Sequence, residues 1–346
     1  MKSCSHMNAP VVPTQLIGNT PLVKFHLQEL SSRPRILAKA EFFNPTGSHK
    51  DRIYQQMIEK AEQRGELESG MTIVEGSTGN AGAACSMIGA LKGYEVVVVM
   101  PEGMSEERKQ LIKAFGAELI TTPGGESDQD LSLKKVEEIV NSNPDQYWYP
   151  AQFSNPDNPQ THYETTGPEL WSQSSGEIDA LVLAVGSGGT LSGIGRYLTE
   201  RNPEIKVYAV EPAECPILSQ QQWGSHDIQG IGDGFVPDNL DLQQLEGVVT
   251  VSSEEAINQA RNLCLKQGLV VGISTGCNIA AAHKVVKENP QLQNIATMLF
   301  DTGQKYFSSP LFGSEAELSI PDRQHQLEPD TRRLLDKYSE RWEFIH

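Results

Sequence analysis

The chain has 346 residues, 38% hydrophobic and 21% charged, and its 28 basic against 45 acidic side chains give a formal net charge of −17. A field of that sign repels a phosphate backbone and argues against nucleic acid as the main partner. No apolar run of about 18 residues is present to span a membrane, and five scattered cysteines without a C-x-x-C pair indicate neither a disulfide framework nor a zinc site.

In chain order the elements begin after an arm, 1–13, expected to be flexible. Its stretch MKSCSHMNAPVVP lacks an apolar core of signal-peptide length, so a cytoplasmic address is expected. The turn signal Asn44-Pro45-Thr46-Gly47 stands just before Lys50, and a helical pattern covers 51–65. Short Val/Ile-rich runs at 71–76, 94–100, 117–122, 180–186 and 206–211 read as buried parallel strands. Amphipathic stretches at 82–92, 104–115 and 131–142 read as helices between them. A second strand series follows residue 180 and runs through GVVTVS and ATMLFD.

That alternation predicts an α/β protein with two open, twisted, mostly parallel sheets flanked by helices. Two sheets imply two domains: an N-terminal one over 14–153 carrying Lys50, whose first strands are free to pack on the other domain, and a C-terminal one over 154–318. The Pro/Asn-rich segment QFSNPDNPQTH (152–162) is the expected crossover, and 319–346 is expected to be a helical extension at a surface or interface.

Two glycine loops follow strands and open helices. In AVGSGGTLSGIGRYL (184–198), Gly186, Gly188 and Gly189 free backbone N–H groups to converge on one anion, with a helix dipole behind them and hydroxyls from Ser187 and Thr190. The dinucleotide fingerprint would need glycine at 191, which is leucine, although Glu211 could mimic its acidic ribose ligand; a Walker loop would need a lysine. In EGSTGNAG (75–82), Ser77, Thr78 and Asn80 are short donors suited to a carboxylate, or else caps of the following helix.

With these pieces placed, the chain resembles the cysteine synthase and cystathionine β-synthase family of pyridoxal-phosphate enzymes, of the tryptophan-synthase-β fold type. The blocks NPTGSHKDR, EGSTGNAG, MPEGMSEERKQLIKAFGAEL, QFSNPDNPQTHYETTGPEL, GSGGTLSG, QGIGDGF and GISTG carry that resemblance, in order, over 16–313. The resemblance implies fold type II, with the cofactor in the cleft between the domains, and a homodimer. It makes Lys50 the lysine that holds pyridoxal 5′-phosphate as an imine. Gly186, Ser187, Gly188, Gly189 and Thr190 become the phosphate cup, and Asn80 the donor to the ring hydroxyl. Ser77, Thr78, Gly79, Gln152 and Gly230 become the substrate-binding set. Thr302 falls where a serine usually meets the pyridine nitrogen, with Asp301 pointing the other way by strand alternation.

The implied chemistry follows from those residue types. A free lysine near its ordinary pKa is protonated at neutral pH; storage as an imine avoids that, and the amine released by substrate is the natural base for the Cα proton. A neutral hydroxyl at the ring nitrogen cannot protonate it as an aspartate would. The electron sink is then weaker, which favours β-elimination and replacement through an aminoacrylate over transamination. The implied reaction is replacement of the β-substituent of O-acetylserine or a similar activated serine by sulfide, giving L-cysteine.

Four positions depart from the family pattern: Gly76, Ala81, His49 and Asp233. His49 reads as a packed imidazole at the helix start. Asp233 stands where cysteine synthases usually carry alanine, and a carboxylate near a dry site is either paired, solvated or working. As a base toward water it would make the enzyme a cysteine-consuming lyase that releases sulfide and leaves serine. A cystathionine β-synthase-like reaction with homocysteine is a further alternative, without appended regulatory domains. A nicotinamide-dependent dehydrogenase would leave Lys50 and the 77–80 loop unexplained, and a catalytically silent binding protein would not need Lys50. The expected partners are a small amino acid and sulfide or a thiol.

Overall fold

The computed structural model describes residues 12–26, 34–313 and 326–346. Most of the N-terminal arm (1–11) and the join into the C-terminal extension (314–325) lie outside the described residues.

Among the described residues, eleven strands form two sheets. They are β1 (Leu22–His26), β2 (Arg35–Ala40), β3 (Thr72–Gly76), β4 (Glu95–Pro101), β5 (Glu118–Thr122), β6 (Tyr147–Trp148), β7 (Ala180–Ala184), β8 (Lys206–Pro212), β9 (Gly247–Val251), β10 (Asn294–Leu299) and β11 (Glu343–Ile345). The smaller sheet, β5-β4-β3-β6, is parallel throughout. The larger runs β1-β2-β10-β7-β8-β9-β11 and is parallel except where β1 meets β2. The Val/Ile-rich reading is explained by burial on both faces: every residue of β3, β7, β9 and β10 is buried.

Composition did not announce the outer strands. β1 and β2 are early in sequence yet belong to the larger sheet, β2 lying beside β10. The C-terminal extension is a helix, Pro329–Ser339, followed by β11, which pairs in parallel with β9 and places Ile345 in the core. Its Tyr338 and Trp342 pack there as well.

Lys50 opens the helix Lys50–Arg64, which packs on the helix Asn80–Lys92 of the smaller half. A buried ionic cluster fixes that helix to the larger half. Arg52 donates from Nε to Glu41 Oε2 (2.7 Å) and from Nη1 to Glu169 Oε1 (2.7 Å). Lys39 on β2 reaches Glu169 Oε2 (2.7 Å), and Thr20 donates to Glu41 Oε1 (2.6 Å). Burial alone would raise the Glu41 carboxyl; the Arg52 guanidinium beside it wins and holds it down at about 2. Removing one partner of such a buried set strands the other charge. Arg52→Met should therefore lower stability by about 3–5 kcal/mol, read from the midpoint of urea unfolding.

Candidate active site

The carboxyl ends of β3 and β7 face a common cleft, about 630 Å³ of space open to solvent on one side. Ligands gather at such strand ends in open α/β sheets. Lys50 enters from the helix start, the 77–80 loop from β3, the 186–190 loop from β7, and the 230–233 loop from beyond β8.

The Lys50 side chain is buried, and its Nζ donates to Gln152 Oε1 (3.0 Å) and Ser187 Oγ (3.3 Å). Burial lowers its pKa, against the opposing pull of Asp233, Glu75 and Glu126. Lys50 is therefore a buried, readily deprotonated amine, not a solvated surface cation. Asp233 lines the same cleft and is buried; burial raises its carboxyl, and the Lys50 charge works in the opposite direction.

The 186–190 loop is shaped by what its glycines leave out. Gly188, at φ +76°, is the residue before the helix Gly189–Thr199, and no side chain caps that N-terminus. A Cβ on Gly189 would stand 2.1 Å from Asn158 Oδ1. Asn158 needs that place, because its Nδ2 donates to Ser187 Oγ (3.0 Å) and to the Gln152 carbonyl (2.8 Å). Behind the loop, His162 Nε2 lies 3.1 Å from Thr190 Oγ1, and burial pushes that imidazole down to about 3, so it is neutral. The Thr190 hydroxyl is thereby held in place while the loop's N–H groups stay open to an anion.

Across the cleft, Asn80 is clamped at both ends of its amide. Lys305 Nζ donates to its Oδ1 (2.7 Å), and its Nδ2 donates to Asp301 Oδ2 (2.7 Å), leaving one N–H for the cleft. Ser77 Oγ accepts from the N–H groups of Gly79 (2.9 Å) and Gly82 (2.7 Å), so it caps the helix and keeps its own proton to donate. Arg108 ties this loop down, donating to the Thr78 carbonyl (3.0 Å) and to Gln229 Oε1 (2.9 Å). Gly79, at φ +145°, cannot carry a side chain, since a Cβ would lie 2.3 Å from Arg108 Cδ.

Three sequence expectations come out differently. Thr302 does not reach the cleft: its hydroxyl accepts from the Gln304 N–H at the start of the turn Gly303–Tyr306. Alternation does separate Thr302 from Asp301, but it is Asp301 that turns inward, to Asn80. The strand stops at Leu299, so inside and outside could not be assigned by counting along it. The hydroxyl on that wall is Ser274, buried in the first turn of the helix Ile273–Glu288. Its signal was the GISTG block, a hydroxyl just past a glycine at a helix start. Glu211 is occupied structurally, accepting from the N–H groups of Leu218 (2.7 Å) and Ser219 (3.0 Å), which removes the ribose ligand that a dinucleotide site would need.

His49 is buried with its ring 4.7 Å from that of Phe300. A Cβ on Gly76 would stand 2.8 Å from Leu133 Cδ2, the end of a half-buried side chain. Glu75 and Glu126 are buried carboxyls near Lys50 to which the sequence reading gave no role.

A fold with two open sheets, a buried lysine at a helix start and an uncapped glycine loop facing it defines a class of cofactor enzyme, and comparison bears this out. Residues 13–301 match the family model described as pyridoxal-phosphate dependent enzyme, and the chain belongs to that family. It is 42% identical over 300 residues to the cysteine synthase of Staphylococcus aureus (strain N315), covering 86% of this chain and 96% of that protein. It also resembles the crystal structure of a hydrogen sulfide-producing enzyme from Fusobacterium nucleatum, at TM-score 0.81 and 37% identity over 86% of this chain and 100% of the other. The structure of an O-ureido-L-serine synthase matches at TM-score 0.82 and 35% identity, over 90% and 98% of the two chains. The protein is thus a pyridoxal-phosphate enzyme of the β-replacement and β-elimination type, similar to cysteine synthases.

The residues present fit the cofactor. The buried amine of Lys50 has no carboxylate in ion-pair contact among the described residues, and the N-terminus of Gly189–Thr199 lacks a cap that a phosphate would supply. Gly189→Ala should push Asn158 off Ser187. An overpacking cost of about 1–3 kcal/mol predicts weaker pyridoxal phosphate retention by roughly 5- to 150-fold, measured by dialysis and reconstitution.

Proposed function

We propose that the enzyme replaces the β-substituent of an activated serine such as O-acetylserine with sulfide to give L-cysteine, as a homodimer in the cytoplasm. The carrying observation is the buried Lys50 amine poised between Gln152 and Ser187, opposite the glycine loop. Similarity to cysteine synthases supports the substrate class.

Bound pyridoxal phosphate supplies the aldehyde for amine capture and the electron sink for the Cα–H bond. Gly186, Ser187, Gly188, Gly189 and Thr190 would hold its phosphate, one Asn80 N–H its ring oxygen, and the Ser274 hydroxyl its ring nitrogen. Ser77, Thr78 and Gln152 would hold the substrate carboxylate, with Gly79 and Gly230 giving it room. Lys50, freed as a neutral amine, takes the Cα proton and later returns it. A neutral hydroxyl at the ring nitrogen favours prompt loss of the β-substituent over a long-lived carbanion.

Asp233 supports a second reading at the same site. A buried carboxylate repels an anionic nucleophile and serves a proton-bearing one, taking the proton of H₂S or of water as the new bond to Cβ forms. With water as nucleophile the enzyme would consume cysteine, releasing sulfide and leaving serine.

Lys50→Ala should reduce turnover by about 10²–10⁴-fold in both directions, assayed with O-acetylserine plus sulfide and with cysteine. Full activity in that variant would remove the reading altogether. Asp233→Asn should slow serine formation from cysteine by about 10²-fold while loss of the β-substituent, followed as sulfide release in a single turnover, persists. Equal loss of both steps would exclude Asp233 as the nucleophile's base.

A further inference from the structure

Gln152 shows only one face of its amide to the cleft. Its carbonyl Oε1 accepts from Lys50 Nζ (3.0 Å), while Nε2 is turned away, donating to Glu75 Oε1 (3.1 Å) and, more weakly, to the Gly76 carbonyl (3.3 Å). In that pose no N–H remains for an anion, and a substrate carboxylate would meet a carbonyl oxygen. The carboxylate-binding role given to Gln152 above, on which this inference rests, requires the amide to turn over once Lys50 no longer offers it an N–H.

Turning over reverses what Glu75 must do. It now accepts from an N–H; afterwards it faces the Gln152 carbonyl oxygen and must donate. An ionised carboxylate only accepts, whereas a neutral carboxyl does either. Glu75 sits where neutrality is favoured: it is fully buried, and its Oε2 has no partner within hydrogen-bond distance, the facing Tyr54 hydroxyl being likewise unpaired. Lys50 and Tyr54 face it from the helix Lys50–Arg64, Cys85 from the helix Asn80–Lys92, and Tyr149 from the segment after β6. Of these only Lys50 is cationic, and in the cofactor-loaded enzyme that amine is committed elsewhere.

We propose that Glu75 is a positioning residue that keeps a proton so that Gln152 can present either face, its carbonyl to the Lys50 amine or its N–H groups to the carboxylate of an amino-acid substrate. The weak bond to Gly76 is given up in the turn, and the Glu75 O–H replaces it. Burial pushes the Glu75 carboxyl up to about 8, with Tyr54, Lys50 and Gln152 working against it. Above that pH Glu75 can only accept, and Gln152 is locked with its carbonyl outward.

The test measures KM and kcat of the holoenzyme for cysteine and O-acetylserine on both sides of that pH. The wild-type KM should rise about fivefold over the pH unit above the Glu75 titration, while kcat changes by less than about threefold. Glu75→Gln, whose amide donates and accepts at every pH, should flatten the rise, and Gln152→Ala should start high and stay flat. A wild-type KM that does not rise, or an unchanged rise in Glu75→Gln, would overturn the proposal. Infrared spectroscopy of the cofactor-free protein gives a readout independent of turnover. The wild-type minus Glu75→Gln difference should contain a protonated-carboxyl band at neutral pH, and its absence would overturn the proposal as well. The band present in an enzyme that turns over neither amino acid would uphold a protonated Glu75 and refute the substrate reading instead.

Discussion

The Lys50 ammonium is buried and is held by two neutral oxygens, from Gln152 and Ser187, with no described carboxylate in ion-pair contact. Much of the site follows from that constraint. A lysine placed this way is expensive to keep charged, so its proton is easily given up, and an amine without its proton is a nucleophile and a base. The carboxyls of Asp233, Glu75 and Glu126 stand further off, close enough to moderate the effect of burial without cancelling it.

Lys39 shows the contrasting solution. It too is buried, and burial lowers its pKa, but Glu169 lies 2.7 Å from its Nζ and opposes that, inside the cluster that also holds Arg52. A carboxylate in contact fixes that charge and makes the residue part of the scaffold. Both lysines are buried, and what separates them most clearly is the partner: a carboxylate for Lys39, two neutral oxygens for Lys50. Because Arg52 lies two residues after Lys50, the scaffold cluster also sets where the reactive amine stands.

Where the chemistry is local, the sequence was legible. The inner strands read correctly because burial on both faces leaves near-continuous Val/Ile runs, as in β4 and β7. The strand, glycine turn and helix start at 184–190 were legible because that turn depends on residues that lack side chains. β1, β2 and β11 were harder, since their partners are set by distant segments: β2 pairs with β10 some 260 residues away, as Arg35 opposite Asn294 shows. Thr302 was set at the ring nitrogen by the resemblance alone, and Asp301 was turned away by alternation counted past the end of a strand. Ser274, by contrast, sat in a quoted block and needed only the helix start to reveal it. Glu75 and Glu126 have no sequence signature, since the burial of a carboxyl is set by distant segments that pack around it.

The two sheets also differ in how they use the chain. The smaller one is assembled from a continuous stretch, 72–148, whereas the larger one has strands from near both ends, β1 on one edge and β11 on the other. As the polypeptide leaves the ribosome, the smaller sheet has all its strands once residue 148 is out, before β7 to β11 of the larger sheet. β2 must wait for β10, and the edge at β9 stays open until β11 follows. The first turn of the Lys50 helix thus precedes in the chain both Gln152 and the 186–190 loop that face it, so the reactive amine is enclosed only after those later segments have followed it out.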